Sequence, residues 1–185
     1  MNLRFYLFLT LVALVSWWLV KLSGLDEMTS AKAPAHSADY FSKVYRKREM
    51  NDAGILKSQL IADQMIHYSD DGTTTLLKPL FYSYNENNPP WLIQSNTGLL
   101  SADGKDLLLN GAVTINRAKA PGIRPLTINT SQLKVKPDSQ YAETDTWAEL
   151  ISPPNKTSGT GMKLVYAQPV HLQLLAHVKG NYETK

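Results

Sequence analysis

The sequence predicts an all-β domain of stacked hairpins, preceded by one apolar helix long enough to cross a membrane. Beyond position 50, apolar residues recur at every second position in short runs. Turn-forming dipeptides such as Asp71-Gly72 separate these runs, as they do between the strands of hairpins. The same region has no sustained apolar stripe at helical spacing, which favours strands throughout.

Composition narrows the function classes before any motif is considered. The chain has 185 residues, of which 43% are hydrophobic and 19% charged, so it can bury one core of ordinary size. It has no cysteine, which excludes a disulfide scaffold, a zinc–thiolate site and a thiol nucleophile. The net charge is +3, but Arg4 and Lys21 flank the apolar helix and the remaining charges nearly balance. Nucleic acid is therefore not an expected partner.

The first predicted element is a transmembrane helix over residues 5–25, with residues 1–4 as a short cytoplasmic N-terminus. Positions 5–20 carry no charge, and 21 residues are enough to cross a hydrocarbon core of ~30 Å. Lys21 can extend its amine to the headgroups along its apolar stem. Trp17 and Trp18 lie near the same end, where indole rings favour the interface.

A cleaved signal peptide is the alternative interpretation of this segment. Its apolar core is usually ~7–15 residues long and is followed closely by small residues at the cleavage site. Here the first such pattern, at positions 31–33, lies far beyond Val20. An uncleaved anchor is therefore favoured, with the body of the protein on the exported side.

Residues 26–39 are predicted to form a linker, because they are small and polar and show no periodicity. The β domain is then expected over residues 40–185. A weak internal repeat accompanies its hairpins: a shift of 35 residues aligns Ile93 with Ile128 and Ile115 with Leu150. A lone hairpin cannot bury its apolar face, so the units are expected to stack as a two-sheet jelly roll or a β-solenoid.

Alternate apolar positions are expected to face inward. Leu76 and Leu77 compete for one of these places, since a slip of one residue exchanges the two faces of a strand. Each inward residue has two interpretations, ordinary core or contact with a bound lipid, and the two overlap if the roll is open along one side. The predicted inward residues are Leu56, Leu60, Ala62, Leu76, Leu77, Phe81, Trp91, Ile93, Leu107, Leu109, Val113, Ile115 and Ile128.

Sequence motifs for catalysis or metal binding are not found. The chain has no G-x-S-x-G, Walker loop, H-E-x-x-H or G-x-G-x-x-G pattern. No two of its four histidines stand at i, i+4 spacing, and Asp70-Asp71-Gly72 is typical of a turn. The sequence therefore predicts no enzyme, no catalytic residue, no cofactor and no metal site. A hydrolase or sugar-binding β domain would need paired carboxylates or a polar groove.

A basic run with an aromatic residue lies at the start of the β domain. It includes Lys43, Arg46, Lys47 and Arg48. The run is explained either as the solvated face of a first strand or as a contact with anionic lipid headgroups.

The order and spacing of several short motifs resemble those of the LptC family, over essentially the whole chain. None of the motifs is specific alone. Family members often carry a glycine before the last hairpin, where this chain has Leu150-Ile151-Ser152. The motifs that carry the resemblance are Gly54, Leu60-Ile61-Ala62, Tyr68-Ser69-Asp70, Pro79, Trp91, Gly111-Ala112-Val113, Ser158-Gly159 and Asn181-Tyr182-Glu183.

The resemblance implies a periplasmic β-jelly roll that binds lipopolysaccharide and is held in the inner membrane by a single helix. It implies that the ATP-driven inner-membrane ABC transporter, of the LptBFG type, supplies the lipopolysaccharide. An LptA-type periplasmic bridge protein would receive it. We expect the bridge protein at the C-terminal edge, around Val170, Leu172, Leu174 and Tyr182, and the transporter at the edge formed by residues 40–50. The alternative is a membrane-anchored periplasmic scaffold that only docks other proteins.

Overall fold

A computed structural model of the chain describes residues 3–22, 36–85 and 88–182. The chain divides into two units, Met1–Ala35 and His36–Lys185, and each is described by itself. The predicted linker lies mostly outside the described residues, as do positions 1–2 and 23–25 of the predicted N-terminus and transmembrane segment.

In the first unit the structure describes the helix α1 (Leu3–Leu22). Its segment Phe5–Leu22 is long and apolar enough to cross a membrane by length and composition. The Thr10 hydroxyl donates to the backbone oxygens of Tyr6 and Leu7 at 3.1 and 3.0 Å. This polar group is therefore satisfied within the helix, as a lipid environment requires.

The described residues of the second unit form ten strands, and the first strand begins two residues before the predicted domain boundary at Tyr40. The strands are β1 (Ala38–Met50), β2 (Leu56–Tyr68), β3 (Thr74–Leu77), β4 (Leu80–Asn85), β5 (Asn88–Leu100), β6 (Leu107–Arg117), β7 (Leu126–Lys136), β8 (Tyr141–Ser152), β9 (Asn155–Val165) and β10 (His171–Asn181).

All ten strands belong to one antiparallel sheet, in which consecutive strands are neighbours except β3 and β4. The short strands β3 and β4 together occupy one place in the order, because both pair with β2 on one side and with β5 on the other. β1 and β10 are the two terminal strands and do not pair with each other. The sheet is therefore not closed into a barrel.

A line of irregular backbone crosses the sheet and divides each long strand into two halves. At this bend line the pairing register shifts on β5, β6, β7, β8 and β10, and several residues adopt a left-handed conformation. Bulges of this kind bend a strand and increase its twist. The left-handed residues of the bend line are Val44, Lys78, Gly111, Gln132, Gly161 and His177.

The bend line converts one sheet into two layers, as in sandwiches whose strands pass from one sheet to the other at a corner. Layer one comprises residues 45–50, 56–62, β4, 88–95, 112–117, 126–131, 147–152, 155–160 and 176–181. Layer two comprises residues 38–43, 64–68, β3, 97–100, 107–110, 133–136, 141–144, 162–165 and 171–174.

The turns at the end of layer two pack over the β4 side of layer one. Gln140 donates from Nε2 to Asn85 Oδ1 at 2.8 Å, and Asn85 donates from Nδ2 to the backbone oxygen of Tyr166 at 3.1 Å. The rings of Trp91 and Tyr166 approach to 6.3 Å between centroids. These contacts join residues 55 to 81 positions apart in the sequence and fix the two layers face to face.

The pairing register aligns the apolar residues of successive strands into rows that face the interior. In layer one, the main row runs through Lys47, Leu60, Phe81, Ile93, Ile115, Ile128, Leu150, Thr157 and Gly180. In layer two, a matching row runs through His67, Thr74, Leu100, Leu107, Val135, Ala142, Leu164 and Leu172. The 35-residue repeat is confirmed in its spacing, because Ile93, Ile115, Ile128 and Leu150 share one row.

Most of the predicted inward positions are buried, and two differ. Leu77 is wrong as an inward residue: its side chain is 42% exposed on the outer face, whereas Leu76 is 3% exposed and packs in the core. The reason is the register of β3, in which Leu76 pairs with Met65 and Gly98 of the interior. Leu56 is only half-buried, because it lies at the first position of β2.

We predict that Gly111→Ala destabilises the roll more than Gly122→Ala. Both glycines have a φ above +70°, but a Cβ on Gly111 would lie 2.6 Å from Asn96 Oδ1, whereas one on Gly122 would meet open space. Asn96 Oδ1 also accepts a hydrogen bond from the Ala112 amide at 2.8 Å, so the bulge would have to rearrange. We expect a loss of about 1–3 kcal/mol in the free energy of unfolding for Gly111→Ala.

Denaturant unfolding of the full chain in detergent, followed by far-UV circular dichroism, measures this difference. Gly122→Ala carries the same backbone cost without the clash, about 1–2 kcal/mol, and is the matched control. Equal losses for the two variants would contradict a special role for the bend line.

Candidate functional site

The space between the two layers is the candidate site, because it is where the apolar rows meet. Eleven of the thirteen predicted inward residues are buried there: Leu60, Ala62, Leu76, Phe81, Trp91, Ile93, Leu107, Leu109, Val113, Ile115 and Ile128. A pocket between the layers, beside Leu60, Phe81 and Leu107, holds only about 20 Å³. Sites for ligands of drug size enclose roughly 300–1,000 Å³. In this conformation the interior is therefore a packed core rather than an open groove.

A set of half-buried apolar residues, here called the rim, surrounds this core. These side chains pack against the core on one side and reach solvent on the other. Two of them, Leu172 and Leu174, lie on the terminal strand β10, and Tyr45 lies on the other terminal strand, β1. Residues of this kind can exchange contacts with the core for contacts with a ligand at low cost. The rim comprises Tyr45, Leu100, Leu126, Leu150, Val170, Leu172 and Leu174.

At the outer end of layer one the interior lining becomes polar. The last inward row, here called the polar end row, runs through Glu49, Ser58, Ser83, Trp91, Arg117, Leu126, Ser152 and Asn155. Trp91 is almost fully buried, and the Arg117 guanidinium carbon lies 4.8 Å from its ring centroid. The row thus has a cationic centre next to an aromatic face, at the boundary between the apolar interior and solvent.

Glu49 lies at the β1 end of the polar end row and is held by two donors. Ser58 donates from Oγ to Glu49 Oε2 at 2.9 Å, and the Lys47 ammonium lies 2.6 Å from Glu49 Oε1. Partial burial of the carboxyl raises its pKa, but the hydrogen bonds from Lys47 and Ser58 outweigh burial, so the pKa of Glu49 is lowered overall.

Tyr166 is the largest polar side chain inside the roll. Its ring is fully buried, and its hydroxyl has no hydrogen-bond partner among the described residues. Burial raises the pKa of Tyr166 well above its usual value, with a smaller contribution from Asp138. The side chain is therefore neutral at physiological pH and acts as an apolar wall against Trp91.

The predicted headgroup residues do not share one surface. Lys47 faces the interior row and is paired with Glu49, whereas Arg46 and Arg48 point outward and are exposed. Lys43 lies beyond Val44 on the other side of the bend line, in layer two. The four residues therefore do not form one cationic site. Contact between the exposed ones and lipid headgroups stays a prediction.

The predicted partner-edge residues divide between two roles. Leu172 and Leu174 turn their side chains into the rim, and Val170 packs against the core just before β10 begins. Tyr182 is exposed, and its hydroxyl lies 3.3 Å from Thr157 Oγ1. A partner at this edge would therefore pair with the backbone of β10, while these leucines line the interior beside it.

One cluster of possible metal ligands forms at the surface and was not apparent in the sequence. His36 Nδ1 lies 3.3 Å from Asp70 Oδ2 and 3.9 Å from Asp71 Oδ2, and its ring stacks on Tyr68 at 4.0 Å. The separation of 34 residues between His36 and Asp70 concealed this contact. All three groups are exposed, and Asp71 already accepts two hydrogen bonds from Thr73 at 2.7 and 2.8 Å. The cluster is explained as a hydrogen-bonded turn.

Sequence reasoning missed eight of the nineteen buried hydrophobic residues in the described part of the chain. The residues it omitted include Met65, Leu133, Val135, Ala142, Ala148, Met162, Leu164 and Tyr166, all buried. Alternation of apolar and polar residues could have identified Leu133 with Val135 and Met162 with Leu164, because the two residues of each pair are two positions apart. Around Gly161 the inward positions change from odd to even, so a single period followed along β9 assigns half of the strand to the wrong face.

Comparison with known proteins agrees with this architecture. The family model described as "Lipopolysaccharide-assembly, LptC-related" matches residues 5–183, nearly the whole chain. No protein of curated function matches the chain in sequence. Among solved structures, LptH from Pseudomonas aeruginosa, described as the LptA-homologous periplasmic component of the lipopolysaccharide transport device, superposes with a TM-score of 0.54 at 10% identity. The match covers 69% of this chain and 95% of LptH, and it confirms the β-jelly-roll fold.

We predict that Glu49→Gln flattens the acid side of the stability profile. Because the folded-state pKa of Glu49 is lowered, its ionised form stabilises the fold at pH values above the usual carboxyl pKa. That contribution is lost as pH falls through the lowered value. Stability measured by urea unfolding from pH 7 to pH 3 should fall less in Glu49→Gln than in the unaltered protein. The control is Asp63→Asn, which removes an exposed ion pair with Lys78. Equal profiles for Glu49→Gln and the unaltered protein would contradict the stabilising role of ionised Glu49.

Proposed function

The chain belongs to the LptC family, and on this premise we propose that its β-jelly roll holds the acyl chains of lipopolysaccharide on their way from the inner to the outer membrane. Family membership and the fold shared with a periplasmic transport component support involvement in lipopolysaccharide transport. The steps of binding and transfer are the proposal. The observation that carries it is the continuous apolar interior bordered by the half-buried rim.

Physical chemistry explains why such a carrier is needed. Exposing a buried methylene to water costs ~0.8 kcal/mol, so a chain of about a dozen methylenes costs on the order of 10 kcal/mol. A lipid with several such chains cannot cross the aqueous periplasm by free diffusion. A protein that covers the chains continuously removes this barrier. The rows of layer one and layer two present the surface that such chains require.

Acyl chains would enter at the open side of the roll, between the unpaired strands β1 and β10. The packed interior has no room for them in the described conformation, so the two layers must separate around the chains. Separation is easiest at the rim, whose residues are only half-buried. The chains would then replace the contacts that Tyr45, Leu172 and Leu174 make with the core. The exchange is between apolar surfaces, which keeps its net free energy small.

Transport energy would come from the ATP-driven transporter of the inner membrane. The chain has no nucleotide-binding motif, so it would bind lipid and pass it on without driving the step itself. The helix α1 would anchor the protein in the inner membrane as a single span, with the roll in the periplasm. This arrangement keeps the roll close to the point where lipid leaves the membrane.

Transfer to the bridge protein would use the free edge of β10. This strand is 11 residues long and carries one lysine and no acidic residue, so it has few of the charges that usually prevent pairing at an edge. A partner of the same fold could add its own edge strand there and extend the sheet. The apolar rows would then continue from one roll into the next. The edge of β1, which carries Lys43, Arg46, Lys47 and Arg48, would face the transporter.

We predict that Leu174→Gln weakens binding of lipopolysaccharide and that Leu108→Gln does not. Leu174 is on the rim, whereas Leu108 is an exposed leucine on the outer face of layer two. Loss of the rim leucine should weaken binding per folded molecule about fivefold, equivalent to about 1 kcal/mol of apolar contact. The measurement is a titration of the full chain in detergent with fluorescent lipopolysaccharide, corrected for the folded fraction.

Equal affinities for the two variants would show that the rim does not contact the lipid. If the unaltered protein binds no lipopolysaccharide at all, the protein is a membrane-anchored scaffold that only docks other proteins.

We also predict that the two edges capture different partners in cells. Photo-reactive residues at Gln173 or Leu175, both exposed on β10, should crosslink the bridge protein. The same residues at Arg46 or Arg48 on β1 should crosslink a transporter subunit. Immunoblots of the crosslinked products read out both results. Capture of the bridge protein from β1 alone would show that the bridge protein binds the edge proposed for the transporter.

A further inference from the structure

A cationic cleft lies at the outer end of layer one, between the β6–β7 loop and the β8–β9 turn. Its volume is about 750 Å³, and its walls include Lys119, Arg124, Pro125, Pro153 and Asn155. This volume accommodates a sugar-sized group rather than a single small ion. The prolines restrict the backbone on both sides, which lowers the entropy lost when a ligand binds.

One wall of the cleft comes from a segment that carries basic residues and no acidic residue. Between Asp106 and Asp138 the sequence has five basic residues and no acidic residue. Lys134 is paired with Asp106 at 3.4 Å, and Lys156 beside the cleft is paired with Glu149. Among the described residues, no carboxylate forms an ion pair with Arg117, Lys119 or Arg124. The cleft therefore carries positive charge that is not compensated by the described part of the chain.

Arg117 connects this cleft to the apolar interior. Its guanidinium lies over the Trp91 ring and donates from Nη2 to the backbone oxygen of Arg124 at 3.4 Å, which positions the loop segment that carries Arg124. Burial lowers the pKa of Arg117, so a nearby anion would stabilise its charged form. Arg117 Nε and Asn155 Oδ1, both in the polar end row, are buried and have no hydrogen-bond partner within residues 3–22, 36–85 and 88–182. Arg117 Nε lacks an acceptor, and Asn155 Oδ1 lacks a donor.

We propose that this cleft binds a phosphate monoester on a sugar, as in the phosphorylated headgroup of a glycolipid whose acyl chains occupy the roll. Lys119 and Arg124 would bind the phosphate oxygens, and a sugar hydroxyl would donate to Asn155. The proposal rests on the function proposed above and adds the position of the headgroup. The polar end row borders the rows that would hold the chains, so an amphiphile can occupy both at once.

The test uses the full chain in nonionic detergent and the double variant Lys119→Gln with Arg124→Gln. Both side chains are exposed, so the fold should be retained, and a melting curve checks this. The matched control, Lys105→Gln with Lys163→Gln, removes two exposed cations that do not line the cleft. Three probes are titrated into each protein: lipopolysaccharide, lipopolysaccharide treated with a phosphatase, and inorganic phosphate followed by ³¹P NMR.

We expect the cleft variant to bind intact lipopolysaccharide about tenfold more weakly than the unaltered protein, the loss typical of removing charge-assisted hydrogen bonds to phosphate. Its affinity for the phosphatase-treated lipid should be unchanged, and the control variant should resemble the unaltered protein with both lipids. An equal loss in the cleft and control variants, or no loss in the cleft variant, would overturn the proposal and leave the roll as a lipid carrier.

The probes also separate this proposal from the one on which it rests. If the unaltered protein binds neither lipid, the carrier function fails. In that case, the ³¹P signal of inorganic phosphate could still be broadened by the unaltered protein and stay sharp with the cleft variant. This result would identify the cleft as a site for free phosphate and overturn the assignment of the cleft to a headgroup. Inorganic phosphate binding as tightly as intact lipopolysaccharide would overturn that assignment as well.

Discussion

The bend line is the constraint on which the rest of the structure depends. Strands of 11 to 13 residues are too long to lie in one small sandwich without turning. At the bend line, left-handed residues and register shifts let each of these strands leave layer one and continue in layer two. The sheet therefore packs against itself, and the two sets of apolar rows become the two sides of one core.

Bending exposes backbone groups that a regular ladder would pair, and side chains near the bend satisfy them. Thr144 and Thr146 donate to the backbone oxygen of Ser131 at 2.9 and 2.7 Å, and Thr130 donates to that of Trp147 at 2.8 Å. Buried hydroxyls in an apolar interior are costly unless they are bonded in this way. Threonine in these strands thus combines β propensity with the repair of the bulge.

The same construction leaves the features that the proposed function uses. A sheet that rolls without closing has two free edges and one open side, so some of its inward residues stay half-buried. The apolar ones form the rim, and two polar ones, Glu49 and Arg117, belong to the polar end row. An amphiphilic ligand needs both kinds of surface next to each other. Fold and proposed function are linked through this geometry rather than through any catalytic motif.

Local sequence determined the strands, the turns and most of the inward faces, because period two and residues such as Asp71-Gly72 act within one hairpin. It also determined the apolar helix, through length and lack of charge. Only the tertiary structure decided between Leu76 and Leu77, since the choice depends on which residue of β2 pairs with β3. It also decided that the interior is packed, that Met162 and Leu164 lie inside, and that Lys119, Arg124 and Asn155 share a cleft. The physical reason is that bulges change the face on which later residues lie, and contacts between distant turns have no periodic signal in the sequence.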